Sequence, residues 1–183
     1  MRIGINSPVV VQLPGAFSPW EADAGISDLG AIADNLVAGL ATYRSWAPPA
    51  WSPPTRTEML VGLLQRFPRD GSWAHVALRG HALAGHVMAR PDRDADGAPR
   101  AGAALLSQLF VREDHWGGGL AQALHACALE GMRERGLDRA RLLVAARHDR
   151  ARAFYRRCGW HASGRGETPG ELGLELVEYE LAL

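Results

Sequence analysis

Residues 103–121 read AALLSQLFVREDHWGGGLA: an apolar run ending at Val111, then three successive glycines, Gly117 to Gly119, opening a helical pattern. A buried strand that turns through glycine into a helix belongs in a layered α/β sheet, where ligands lie at the carboxyl ends of central strands. The first turn of such a helix leaves backbone N–H groups without internal partners and carries partial positive charge, so it suits a phosphate. Glycine lets the phosphate approach the main chain with no Cβ in the way. Taken alone, a glycine triplet is an ordinary turn. A dinucleotide fingerprint needs glycines at 117, 119 and 122, but Gln122 stands at the last; a Walker A loop needs lysine, and the chain has none. The lack of lysine also excludes Schiff-base chemistry on the enzyme.

The flanking pattern supports a mixed sheet. Val9, Val10 and Val11, closed by Pro14 and Gly15, suggest a first strand. Ile26, Leu29, Ile32, Ala33, Leu36, Val37 and Leu40 recur at helical spacing, which predicts a helix over 26–40 capped near Ser27. The proline-rich segment SWAPPAWSPPT breaks it, and a second helix is expected over 57–67. Residues 72–78, 82–89 and 103–111 read as a meander of strands, the last two separated by a polar loop, PDRDADGAPR. A helix over 118–135, a strand at 141–145, a helix at 150–157 and two closing strands, around Trp160 and over 174–183, complete the order. The expectation is one α/β (α+β) domain over residues 1–183, a twisted mixed sheet of about seven strands flanked by about four helices.

Composition limits the partners. Twenty basic and twenty acidic residues cancel, so the charge footprint of a nucleic-acid binder is missing. The amino terminus offers too short an apolar run for a signal peptide or a membrane span, which gives a cytoplasmic expectation. Cys127 and Cys158 fall in apolar helical patterns and read as small core residues, not as a disulfide or a nucleophile. No metal site is expected.

Two segments carry a resemblance. WGGGLA at 116–121, five residues beyond Val111, resembles the Q/R-x-x-G-x-G/A motif of the GNAT superfamily of N-acetyltransferases, with Gly119 and Ala121 on the pattern and Trp116 where Gln or Arg is usual. HDRARAFYRRCGW at 148–160 is similar to the family's N-x-x-A-x-x-F-Y-x-x-x-G-F segment at Ala151, Phe154, Tyr155, Gly159 and Trp160, with His148 in place of Asn. Their order, their separation and the intervening strand LLVAA make the pair specific. The resemblance implies a GNAT-like fold, acetyl-CoA as acyl donor and an amine, most simply a small molecule, as acceptor. It implies that Gly117, Gly118, Gly119, Leu120 and Ala121, with Trp116, receive the pyrophosphate. It further implies that Leu109, Phe110 and Val111 bind the pantetheine arm as an added strand would, with His148, Ala151 and Phe154 alongside. Tyr155 is implied to act as general acid to the departing thiolate, since a phenol of pKa about 10 can donate to a thiolate whose acid lies near 8.5.

The base that frees the amine stays open. Ser107 and Gln108 could orient a water, while Glu178, Glu180, His75, His81 and His86 could act directly; solvated or structural roles are the plain alternative for each. Trp46 and Trp51, flanking prolines, form either an acceptor wall or a lid over the core. A non-catalytic coenzyme-binding domain and a protein N-acetyltransferase are the competing functions. A homodimer through the last strand is possible but not required.

Overall fold

The computed structural model describes residues 9–13, 22–66, 71–79, 82–94, 96–167 and 173–183. One seven-stranded sheet organises them, in the order β1-β2-β3-β4-β5-β7-β6. β1 (Val9–Leu13), β2 (Trp73–Arg79), β3 (Ala82–Arg93) and β4 (Pro99–Val111) form an antiparallel meander. β5 (Arg139–Ala145) joins β4 in parallel, through the crossover helix α3 (Leu120–Glu134). β7 (Leu176–Ala182) pairs antiparallel with β5 and with β6 (His161–Glu167), and α4 (Asp149–Arg157) crosses between β5 and β6. α1 (Ala22–Ala41) and α2 (Arg56–Arg66) lie between β1 and β2 in the chain.

The period-two alternation of each strand builds two cores, one per face. On one face Leu106, Leu142, Val144 and Tyr179 meet Leu120, Leu124, Ala128 and Met132 of α3 and Tyr155 of α4. On the other, Ala74, Val76 and Met88 meet Leu29, Ile32, Ala33 and Leu36 of α1 and Leu63 of α2. The close fit of α1 depends on Gly39, where an added Cβ would collide with the Phe110 ring.

Three boundaries differ from expectation. α1 begins at Ala22, so Ser27 lies inside the helix and does not cap it; Ala22 and Ala24 are strong helix formers and carry the helix outward by more than a turn. The polar segment 91–100 extends both flanking strands, β3 to Arg93 and β4 from Pro99, instead of being loop throughout, because Asp94 closes a tight turn between them. Its Oδ1 accepts the N–H groups of Asp96 and Ala98 at 3.0 and 2.9 Å, and Gly97 adopts a φ of 81°. The burial of Asp92 beside Arg141 ties the extended strand inward, with Arg141 Nε 2.7 Å from Asp92 Oδ2. Trp160 is a buried connector ahead of β6 rather than part of a strand. Cys127 and Cys158 are free, partly buried thiols.

Candidate active site

β4 pairs with β3 as far as Val111, but with β5 only at Ala103, Ala104 and Leu105. Past that point the edge of β4 facing β5 carries no ladder. Ser107 is the extra residue at an irregularity between Met88 and Ala89, and its hydroxyl donates to the Met88 carbonyl at 3.2 Å. Such a bulge bends and twists its strand. A cavity of about 560 Å³ occupies the resulting gap between 106–111 of β4 and 143–145 of β5.

The turn after β4 forms one end of this cavity. Gly117 and Gly119 adopt φ of 78° and 79°, a region costly for residues with a Cβ, and a Cβ built on either meets nothing within 4 Å. The turn therefore presents bare backbone to open space, ahead of the first free N–H groups of α3. Gly117, Gly119, Leu120 and Ala121 line the cavity with Leu109, Phe110 and Val111, and so do His148, Ala151, Phe154 and Tyr155 from the far wall. Gly118 is not on the wall, and a Cβ there would lie 3.8 Å from the His115 carbonyl. Trp116 bends back over the strand end. Its indole N–H donates to the Val111 carbonyl at 2.8 Å, and the Arg150 guanidinium sits 3.2 Å from its ring centroid.

Tyr155 is 8% exposed and reaches the cavity from α4. Burial, with the neighbouring Tyr43 and Cys158, pushes its phenol well above the usual range, so it keeps its proton at any physiological pH. Tyr43, unanticipated in the sequence, also lines the cavity; burial raises its phenol to about 12, against an opposing pull from Arg150. Trp46 and Trp51 stand behind it, with ring centroids 4.5 and 6.1 Å from that of Tyr43, and neither indole is on the wall. His148 packs against Tyr43 and Trp46, and burial and Arg150 lower its pKa. Tyr43 could have been suspected from its place three residues ahead of Trp46, whereas Arg150 gave no signal beyond its neighbour His148.

The candidates for the base separate. Ser107 and Gln108 line the cavity. His86 does not: it is fully buried behind Gln108, held neutral by burial with a pKa of about 4, and both ring nitrogens are engaged. Glu178 is paired with Arg141 and Arg165, and Glu180 with Arg165; neither lines the cavity, so direct base roles for them are corrected. His75 lies beneath α3, near Gly131 and Arg135, and is likewise off the site. His81 lies outside the described residues. Among the described residues no helix is long and apolar enough to cross a membrane.

Comparison with known proteins identifies the family and the fold. The family model described as acetyltransferase (GNAT) family matches residues 37–160. No curated protein matches the chain by sequence. PaiA N-acetyltransferase from Thermoplasma acidophilum, solved in complex with coenzyme A, superposes with a TM-score of 0.66 at 12% identity, over 96% of this chain and 99% of that one. Ribosomal-protein-alanine N-acetyltransferase from Brucella melitensis gives 0.67 at 19%, over 96% and 99%. An acetyltransferase from Thermus thermophilus gives 0.59 at 24%, over 97% and 99%. At these identities the likeness is one of fold.

Proposed function

The chain belongs to the GNAT acetyltransferase family, whose members draw on acetyl-CoA, and from that premise we propose that it moves acetyl from the coenzyme to the amine of a small molecule, with Tyr155 as general acid. The observation that carries this is the joint placement, on one cavity, of a bare glycine turn, an unpaired strand edge and a protonated phenol.

The residues present fit the coenzyme. The edge of β4 that carries no ladder to β5 offers backbone groups of Leu109 to the pantetheine amides, and those of Val111 once its carbonyl is released by the Trp116 indole. Gly117, Gly119, Leu120 and Ala121 offer the pyrophosphate backbone N–H groups at the start of α3. His148, Ala151 and Phe154 wall the arm. When bound, acetyl-CoA is a substrate that supplies the acetyl group as a thioester. The amine nitrogen attacks the carbonyl carbon; the new N–C bond replaces the C–S bond, whose electron pair stays on sulfur. Tyr155 gives its proton to sulfur, nitrogen gives one up to cavity water, and Tyr155 is recharged from that water, so amide and thiol leave with every proton accounted for. Ser107 and Gln108, both on the cavity wall, orient the water in this reading, and Trp46 and Trp51 shape acceptor access indirectly, through Tyr43.

Tyr155→Phe should lower acceptor-dependent thiol release by roughly 100- to 10,000-fold while coenzyme affinity, read by calorimetry, stays within about threefold. Equal turnover in both forms would remove Tyr155 from the role. Coenzyme binding without acceptor-dependent release in either form would instead describe a binding module.

A further inference from the structure

We infer that the acceptor is an uncharged arylamine bearing a hydrogen-bond-accepting oxygen, rather than an alkylammonium, a polyamine or a lysine side chain. The inference rests on the reading of the cavity as the acetyl-transfer site and names the substrate it selects.

Strand alternation divides the cavity between the two faces of the sheet. Leu109 and Val111 point with Leu120 and Tyr155 toward the α3 side, where the glycine turn lies. Gln108 and Phe110 point the other way, toward α1, where Leu36 and Met59 join the wall; Leu40, Leu174 and Leu176 also line the cavity. An ammonium entering that chamber loses hydration, and among the described residues the cavity wall holds no carboxylate to replace it. The nearby carboxylates of Glu178 and Glu180 are bound by arginines instead.

A buried relay fixes the polarity of the chamber's amide. The Phe110 carbonyl can only accept, and it takes a hydrogen bond from Asn35 Nδ2 at 3.2 Å, which sets the orientation of the Asn35 amide. The same Nδ2 donates to His86 Nδ1 at 2.8 Å, so the ring proton sits on Nε2 and is donated to Gln108 Oε1 at 3.1 Å. With its oxygen engaged, Gln108 has its NH₂ left to offer to the cavity. Arg150 adds a second donor to the wall. Donors repel an ammonium and bind a carbonyl or carboxylate oxygen. An arylamine is neutral at physiological pH, keeps its nucleophilic lone pair without a protein base, and brings a flat apolar body. Its attack on the thioester follows the same balance of bonds and protons given above.

The experiment compares p-aminoacetophenone, aniline, benzylamine and spermidine with the intact protein, by acetylation rate with acetyl-CoA and by calorimetric binding to the protein saturated with coenzyme A. Expected is a kcat/KM for p-aminoacetophenone at least about tenfold above those of benzylamine and spermidine, with aniline between, and the same order in affinity. Gln108→Glu, which keeps an oxygen for His86 but turns the free group from donor to acceptor, should narrow the gap by about tenfold or more. A preference for benzylamine or spermidine, or a Gln108→Glu ratio equal to that of the native protein, overturns the inference and leaves acetyl transfer standing. Coenzyme binding with no amine acetylated overturns both, and failure to bind coenzyme overturns the proposed function itself.

Discussion

Trp116 stands where the family motif usually has Gln or Arg, and its indole N–H occupies the Val111 carbonyl that an incoming pantetheine amide would use. The contact is compatible with the fold alone, yet it competes with strand addition at the free edge of β4. A hydrogen bond of this kind is worth about 0.5–1.5 kcal/mol net. Trp116→Phe retains a ring for Arg150 and frees the carbonyl, so coenzyme should bind roughly two- to tenfold more tightly by calorimetry. Weaker binding would mean that the indole N–H contributes to the coenzyme complex instead of opposing it. Tyr155 shows the complementary case: a residue marked by its motif, whose protonated state follows from burial between α4 and the sheet.

At the scale of elements, the site depends on β4 and β5 being joined at one end and apart at the other. The joined end is fastened by ion pairs across three strands: Arg141 of β5 reaches Asp92 of β3 at 2.7 Å and Glu178 of β7 at 3.2 Å, and Asp92 is 1% exposed. Removing the guanidinium strands two buried carboxylates, which is far more costly than the pair is favourable. Arg141→Met should therefore lower stability in urea denaturation by about 3 kcal/mol, the remaining contacts of Arg100 and Arg165 holding the loss near the lower end of the range for a broken buried pair. A loss under about 1 kcal/mol would show that the strands are held by their ladders alone.

For the whole molecule, the two described histidines that burial shifts furthest lead the response to acid, with His75 and His148 lowered in the same direction. His86 and His125 are both held near pKa 4 by burial, against an ordinary 6.5, and His125 Nε2 accepts the Trp160 indole N–H at 2.8 Å. The folded state thus resists protons that the unfolded chain takes up. Their neutral forms contribute fully above pH 6.5, and the contribution is lost as pH falls from 6.5 toward 4. Thermal unfolding should show a midpoint steady against these groups above that window and declining through it, with a shallower decline in His125→Gln. A native midpoint that is level across the window would contradict the burial of both rings.

What the chain's own pattern determined is the order of elements, the glycine turn behind Val111 and the phenol at Tyr155, because each is a local matter of periodicity, backbone freedom or a contiguous motif. Its limits were equally physical. The polar segment 91–100 hid two strand ends because the Asp94 carboxylate builds a turn by accepting the backbone N–H groups of Asp96 and Ala98. The base candidates on β2, β3 and β7 could not be sorted without knowing which face each residue takes and which arginine reaches it. Tyr43 and Arg150 come from distant segments that meet only across the cavity, and the polarity of Gln108 passes through Asn35 and His86 on other elements. Spacing along a chain fixes what a helix or strand presents, whereas the gap between β4 and β5, and the charge balance inside it, exist only once the sheet has assembled.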